Sequence, residues 1–221
     1  MLKYIIACVC VFTFSGVIQL LRFLLQNRKP IYLEMDRYEE SGIAVFTLHL
    51  PRSWDVRAGQ RANLTVPSVG LFYLFQAHPF TIAWWEEDKL FRAVSLTLLL
   101  RPQRGFTRRL LKRVEPGRKF WALVNGPFGP SSTNNWGLIG TVSDYNSILL
   151  IATGIGIAAQ IPYVKELLRK RQRGQVALEK ITLLWRMDRS GDWGGARQWL
   201  QKLVEMDNDF VGAYLSPPEL V

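Results

Sequence analysis

The sequence predicts an α+β protein in three consecutive parts: one apolar N-terminal helix, a small antiparallel β-barrel and an incomplete parallel α/β domain. The predicted boundaries place these parts at residues 1–29, 30–145 and 146–221. Three observations predict this order: an apolar run at the start, short strand-like runs between turn residues, and alternating strand-like and helix-like segments at the end. With 221 residues and 48% apolar composition, the chain has room for one or two such cores.

The first part is predicted to be a transmembrane helix. Tyr4–Leu25 contains one charged residue, Arg22, and its 22 residues would span about 33 Å as a helix, enough for a hydrocarbon core of about 30 Å. The alternative is a cleaved signal peptide, but the run is longer than usual and lacks a small-residue cleavage site. Because Arg28 and Lys29 follow the run whereas only Lys3 precedes it, we predict a single-pass plasma-membrane protein with a cytoplasmic soluble part.

Cysteine and histidine usage narrows the function classes. Both cysteines, Cys8 and Cys10, lie in the apolar run, so the remainder fits a reducing compartment and has no thiolate metal site. The two histidines, His49 and His78, are well separated and match no zinc-binding spacing. We therefore predict no metal ligands.

The chain is basic, with a net charge of +10 concentrated in Arg101–Lys119 and Lys165–Arg173. It contains no nucleic-acid recognition motif. The charge therefore favours membrane lipid and cofactor phosphates as partners, and no nucleic acid. A basic protein that binds membrane surfaces or nucleic acid stays the weakest alternative.

Residues from Pro30 to about Tyr145 predict β structure. Short runs rich in apolar and β-branched residues alternate with turn residues, as in a small antiparallel barrel or sandwich. The predicted strands are Ile43–Leu48, Arg61–Val66, Phe80–Trp85, Phe91–Leu100 and Lys119–Val124. One helix is predicted over Thr107–Val114.

The pattern changes near Ser147. Ile148–Ala152 is a continuous apolar run, as for a strand that is buried on both faces. A strand–helix–strand–helix order follows, which is typical of a parallel sheet. The further predicted elements are helices over Ile157–Lys170 and Gly195–Glu205, and strands over Ile181–Trp185 and Phe210–Tyr214.

The tetrapeptide His78-Pro79-Phe80-Thr81 contains the groups that a flavin requires. Phe80 can stack on the ring, Thr81 can bond the ring edge and His78 can reach the ribityl–phosphate chain. The alternative is an ordinary turn and strand start with a core phenylalanine.

A second motif, Gly105-Phe106-Thr107, stands at a predicted helix start. Free backbone N–H groups at such a start bind anions, and Arg101 can add a charge-assisted bond to the flavin pyrophosphate. The alternative is plain N-capping by Thr107, which needs no ligand.

A glycine turn, Thr153-Gly154-Ile155-Gly156-Ile157, follows the apolar strand. Glycines between a strand and a helix let a dinucleotide pyrophosphate approach the backbone and the positive helix end. Only two of the three usual glycines are present, since Ala159 occupies the third place. The turn predicts a Rossmann-like nucleotide-binding domain.

In this order, the segments resemble the membrane ferric reductases and NADPH oxidases, within the ferredoxin–NADP reductase fold group. The N-terminal helix is similar to the last transmembrane helix of the family's heme domain. Leu183–Asp188, followed by Asp192-Trp193, resembles fungal ferric-chelate reductases in particular. The resemblance implies an FAD site at the first two motifs, a domain-junction loop at Gly126–Gly129 and an NADPH site at the glycine turn.

The resemblance also implies a function. The chain would be a membrane-anchored flavin oxidoreductase of ferric-chelate reductase type that moves electrons from NADPH to FAD and on to a heme or metal acceptor. Arg186 or Arg189 would read the adenosine phosphate of NADPH. No catalytic side chain is predicted, because holding the two rings in contact supplies the rate enhancement.

Two departures from the family pattern accompany this resemblance. Relatives carry several helices with paired heme-binding histidines, so we predict no heme in this chain and a heme-bearing membrane subunit as a partner. The family's nucleotide domain continues to a Cys-Gly segment that is not found before Val221, so the chain is predicted to be truncated. The alternative function is a non-catalytic, membrane-tethered FAD-binding fragment or partner-binding subunit.

Overall fold

A computed structural model describes residues 2–37, 42–70, 73, 76–129, 145–189 and 191–207. The helices are α1 (Leu2–Gln26), α2 (Phe106–Arg113), α3 (Ile157–Gln172) and α4 (Asp192–Met206). The strands are β1 (Ile31–Arg37), β2 (Ala44–Trp54), β3 (Arg61–Thr65), β4 (His78–Glu87), β5 (Ala93–Leu100), β6 (Lys119–Phe128), β7 (Ser147–Thr153) and β8 (Lys180–Arg186).

Helix α1 covers the apolar run, and large apolar side chains such as Tyr4 and Phe12 are exposed on it. Asn27, directly after the helix, forms two hydrogen bonds to Val124 of the barrel. Its side-chain amide donates to the Val124 carbonyl and accepts from the Val124 N–H, each at 3.0 Å. The predicted membrane span is not supported: over the residues that the structure describes, no helix has the length and apolarity that crossing a bilayer requires.

Six antiparallel strands close into a barrel in the order β1-β2-β5-β4-β3-β6, which confirms the predicted barrel. The sequence prediction lacked β1, although Ile31, Leu33 and Met35 alternate along it and are buried in the barrel core. Helix α2 adds Phe106 and Leu110 to the same core. The barrel therefore holds the first two motifs on one packed body.

Strands β7 and β8 pair in parallel, with Thr153 opposite Arg186 at their carboxyl ends. The prediction that β7 is buried on both faces is wrong. Leu149 and Ile151 are exposed, because α3 and α4 pack on the opposite face of the pair. The strand predicted at Phe210–Tyr214 lies outside the described residues.

A second core joins the barrel to the α/β domain. Apolar side chains of β7, β8, α3 and α4 pack there against five barrel residues, Ile43, Val45, Ala83, Trp84 and Leu99. The approach is close, since a Cβ on Gly195 of α4 would lie 2.6 Å from the Cβ of Ile43. This shared core sets the position of the glycine turn relative to the barrel motifs.

A lysine is buried at this junction. Lys165 of α3 is 2% exposed, and its Nζ donates to the carbonyl of Trp85 at 2.5 Å and lies 4.1 Å from the ring centroids of both Trp84 and Trp85. Burial lowers the pKa of Lys165 to about 7. The charged groups that act on it come from β4, α3 and α4, namely Glu86, Glu87, Arg169 and Lys202.

Candidate functional site

Aromatic side chains from the two barrel motifs meet between β4 and α2. The His78 ring stacks on the Phe106 ring, with centroids 3.8 Å apart and planes 14° apart. Tyr73 flanks both rings at 5.9 and 5.6 Å, and Phe80 lies 6.3 Å from Phe106. The structure therefore brings His78-Pro79-Phe80-Thr81 and Gly105-Phe106-Thr107 together.

His78 carries an unsatisfied ring nitrogen. Its Nε2 is buried and has no hydrogen-bond partner within the described part of the chain. Burial lowers the pKa of His78, because the charged imidazolium loses hydration there. Pro79 is exposed, whereas Thr81 is half-buried and lies opposite Arg61 of β3. The neutral imidazole can thus still bond a ligand.

Helix α2 begins without a side-chain cap. Its N-cap residue, Gly105, has a φ of 92°, which glycine adopts readily. Thr107 lies inside the first turn, and its hydroxyl accepts a hydrogen bond from the N–H of Gln103 at 2.9 Å. The alternative prediction of N-capping by Thr107 is therefore wrong. The first backbone N–H groups remain suited to an anion.

A cavity of about 520 Å³ adjoins the start of this helix. Half of its lining side chains are cationic, and the lining residues are Pro102, Gln103, Arg104, Arg108, Leu111 and Lys112. Cationic walls beside an uncapped helix start favour a phosphate-bearing ligand.

The predicted glycine turn forms between β7 and α3. Gly154–Gly156 makes one turn of 3-10 helix, and α3 follows at Ile157 without a side-chain cap. Gly154 has a φ of 49°, and the indole N–H of Trp185 donates to its carbonyl at 2.9 Å. A Cβ on Gly156 would meet nothing within 4 Å. The turn is thus open to a ligand at Gly156, whereas Gly154 is buried.

The other predicted residues of this turn have different surroundings. Ile157 is fully buried in the second core and Ile155 packs against it, so both support the turn from inside. Thr153 and Arg186 are exposed at the carboxyl ends of β7 and β8. That edge is where open α/β sheets bind their ligands.

Arg101 connects the barrel to the glycine turn. It directly follows β5, yet its Nη1 donates to Oδ2 of Asp188 at 2.6 Å and its Nη2 to Oδ2 of Asp192 at 2.5 Å. A Cβ on Gly154 would collide with the Asp188 carboxylate and lie 3.0 Å from Nη1 of Arg101. The structure thus places Arg101 at the turn, and its role at the flavin pyrophosphate stays a prediction.

Asp188 and Asp192 are absent from the predicted site. They lie 87 and 91 positions from Arg101, so no local spacing links the three residues. The only sequence feature that pointed to them was that two acidic residues follow the end of β8. A buried carboxylate, such as that of Asp192, needs a cationic partner.

Two family models match adjacent parts of the chain. Residues 31–134 match the FAD-binding domain, and residues 145–216 match the ferric reductase NAD binding domain. The chain belongs to the ferric reductase family. FAD and a nicotinamide dinucleotide are its cofactors, as predicted, and the chain carries the two cofactor-binding parts of an NAD(P)H-dependent flavin oxidoreductase.

This ferric reductase chain is similar to two proteins of Saccharomyces cerevisiae. It is 25% identical to ferric reductase transmembrane component 3 over 169 residues, which are 75% of this chain and 22% of the relative. It is 29% identical to ferric/cupric reductase transmembrane component 2 over 119 residues, which are 52% of this chain and 15% of the relative. The chain therefore spans less than a quarter of either relative.

The fold is similar to that of ferredoxin-NADP+ reductase from Plasmodium falciparum. The TM-score is 0.52 at 14% sequence identity, and the match covers 85% of this chain and 70% of the other. This similarity confirms the predicted ferredoxin–NADP reductase-like fold of the ferric reductase chain.

The residues of the site fit both cofactors. An uncapped helix start, a cationic cavity and the Nε2 of His78, which has no partner among the described residues, suit a flavin nucleotide. The uncapped glycine turn suits the pyrophosphate of a dinucleotide. Within the described ranges, no group of three or more histidine, cysteine, aspartate or glutamate side chains could hold a metal ion.

Proposed function

We propose that this chain is the cofactor-binding part of a ferric-chelate reductase, taking electrons from NADPH and delivering them to a heme or metal acceptor. The observation that carries the proposal is the closeness of the two motif regions: Arg101, four residues before Gly105, bonds Asp188, whose carboxylate lies beside the turn at Gly154. When bound, FAD accepts two electrons from a nicotinamide and releases them singly. The family models and the names of the yeast relatives support the reductase assignment.

In this proposal the barrel side chains bind and orient the flavin and perform no acid–base chemistry. Phe80 supports the ring, Thr81 bonds its edge, and His78 bonds the phosphate chain through Nε2. Gly105, Phe106 and Thr107 supply the helix start that binds the pyrophosphate. Catalysis then rests on positioning, since contact between two held rings replaces a random encounter.

The α/β domain binds NADPH in the same proposal. The turn from Thr153 to Ile157 takes the pyrophosphate, and Arg186 takes the adenosine phosphate. The exposure of Arg186 at the sheet edge, opposite Thr153, supports this role. Arg186→Gln should then weaken NADPH binding about tenfold and leave NADH binding unchanged. Equal losses for both dinucleotides would argue against the role.

The experiment that tests the function uses the full chain purified in detergent. We expect flavin absorbance, bleaching of that absorbance by NADPH under anaerobic conditions, and reduction of an added ferric chelate. A preparation without flavin contradicts the proposal. A bound flavin that NADPH leaves oxidised favours the alternative of a non-catalytic FAD-binding fragment.

A matched pair of variants locates the flavin. Phe80→Ala should lower the amount of retained flavin several-fold, because the stacking contact between the Phe80 ring and the flavin, which contributes about 1 kcal/mol, is lost. Leu90→Ala, at an exposed position of the barrel, should retain flavin as the wild type does. Equal flavin content in the two variants would argue against the predicted ring position.

We further propose that α1 associates with membrane lipid and that a heme-bearing membrane subunit is the first electron acceptor. The exposed apolar side chains of α1 support the lipid contact. The yeast relatives are named as transmembrane components, which supports an association with a membrane. Single-pass insertion and a cytoplasmic soluble part stay predictions. Vesicle flotation, described below, tests the lipid contact.

A further inference from the structure

Arg101 forms ion pairs with two aspartates that differ in their exposure to solvent. Its side chain is 14% exposed and contacts Asp192, which is 0% exposed, and Asp188, which is 44% exposed. Oδ2 of Asp192 also accepts the N–H groups of Asp188 and Arg189, at 3.1 and 3.2 Å. Asp192 is therefore held firmly at the start of α4, whereas the Asp188 carboxylate stands half in solvent.

The Asp188 carboxylate lies against the glycine turn. A Cβ on Gly154 would collide with Oδ2 of Asp188, and α3 begins without a side-chain cap three residues later, at Ile157. The N–H groups and the positive dipole end at such a place favour an anion. A ligand phosphate and the Asp188 carboxylate would repel each other there.

Arg101 also has an unused donor. Its Nε is buried, and no acceptor for it is found among the described residues. A buried donor without a partner costs free energy, so an acceptor supplied by a ligand would be stabilising. Displacement of Asp188 would also leave Nη1 of the guanidinium to donate to a phosphate oxygen.

We propose that the Asp188 carboxylate stands in for a phosphate of the nicotinamide dinucleotide and is displaced from Arg101 when the dinucleotide binds. Arg101 then bonds the phosphate, while Asp192 keeps the guanidinium in place. This inference rests on the proposed binding of the dinucleotide at the turn. Because Arg101 belongs to the barrel, the exchange ties dinucleotide binding to the junction between the two domains.

The two side chains should therefore affect dinucleotide affinity in opposite directions. Asp188→Asn removes the competing charge and should tighten the binding of NADP+ by roughly threefold to tenfold. Arg101→Lys keeps a cation for Asp192 but loses the planar fork, and should weaken binding about tenfold. Calorimetric titration of the full, FAD-loaded chain in detergent with NADP+ measures both, and retained flavin absorbance is recorded for each variant.

Glu205→Gln is the matched control, because it removes one exposed negative charge from α4 far along the helix from Asp192. It should leave the affinity for NADP+ unchanged. Asp188→Ser provides a second charge-free variant in case Asn disturbs the local fold. Equal gains in Glu205→Gln and Asp188→Asn would mean a general charge effect and overturn the inference.

Other outcomes separate this inference from the proposed function. Asp188→Asn and Asp188→Ser with unchanged or weaker NADP+ binding overturn the exchange. So does an Arg101→Lys variant that loses flavin but binds NADP+ normally, the result expected if Arg101 serves the flavin pyrophosphate. A wild-type chain that retains flavin and binds no NADP+ overturns the proposed function itself.

Discussion

Gly154 satisfies two separate requirements at the turn. Its φ of 49° lies in the left-handed region, which other residues adopt only at a cost, and the Asp188 carboxylate fills the place where a Cβ would point. Gly156 in the same turn has neither restriction, since its φ is −58° and the space beside it is open. The two glycines therefore have different roles, which the sequence pattern alone does not distinguish.

Gly154→Ala should lower the free energy of unfolding by roughly 1–3 kcal/mol, because the side chain imposes backbone strain and displaces Asp188. Urea denaturation of the detergent-solubilised chain measures the change. Gly156→Ala is the matched control and should leave stability unchanged or raise it by up to about 1 kcal/mol. Similar losses in the two variants would contradict this account of the turn.

His78 and Phe106 could be assigned to one site from the sequence, whereas the hydrogen bonding of Thr107 could not. The meeting of His78 and Phe106 was predictable as a shared site, because each lies in a motif with its own chemistry. The hydroxyl of Thr107 accepts a hydrogen bond from the backbone N–H of Gln103, and Thr107 lies inside α2. Whether Thr107 caps the helix or lies within it depends on where α2 begins. The N-cap lies at Gly105, two residues before Thr107, and sequence patterns do not locate a helix start to within two residues.

At the element scale, α3 places a lysine on its buried face. Lys165 lies between the rings of Trp84 and Trp85 on β4, and its pKa falls from an ordinary value of 10.5 to about 7 through burial. Between these two values the unfolded chain binds the proton and the folded chain does not. Folding stability therefore rises with pH across this window, and the cost of burying the charge is fully present below it.

Lys165→Met should remove that dependence. Relative to the variant, the wild type should gain stability from about pH 7 upward, by at most about 1.4 kcal/mol per pH unit. Thermal or urea unfolding at a series of pH values measures the difference. Leu168→Met, a neutral change at a buried position of the same helix, should run parallel to the wild type. Parallel curves for wild type and Lys165→Met would contradict the predicted linkage.

At the scale of the whole molecule, the barrel and the α/β domain are joined into one packed body. The second core crosses the boundary, and ion pairs reinforce it: Arg169 of α3 with Glu87, and Lys202 of α4 with Glu86 at 2.6 Å. No described side chain of α1 belongs to either core, and the large apolar side chains described on this helix are exposed. Its contact with the barrel includes the Asn27–Val124 pair of hydrogen bonds.

Removal of residues 2–26 should abolish the association with lipid vesicles and leave flavin binding intact, since none of the side chains described on α1 belongs to either core. Flotation on a density gradient with phosphatidylcholine vesicles, followed by flavin absorbance of the floated protein, measures both properties. Flotation of the shortened chain at the level of the wild type would contradict the proposed role of α1.

The sequence by itself determined the barrel class and the strand–helix–strand–helix order from β7 to α4, whereas β1 was missed. These features follow from local periodicity, turn residues and glycine placement, which act over a few neighbouring residues. Only the tertiary structure decided that Arg101 faces Asp188 and Asp192, that Lys165 is buried between tryptophans and that one face of β7 is exposed. Each of these depends on which surfaces pack together, and contacts between residues some 90 positions apart leave no mark in local spacing.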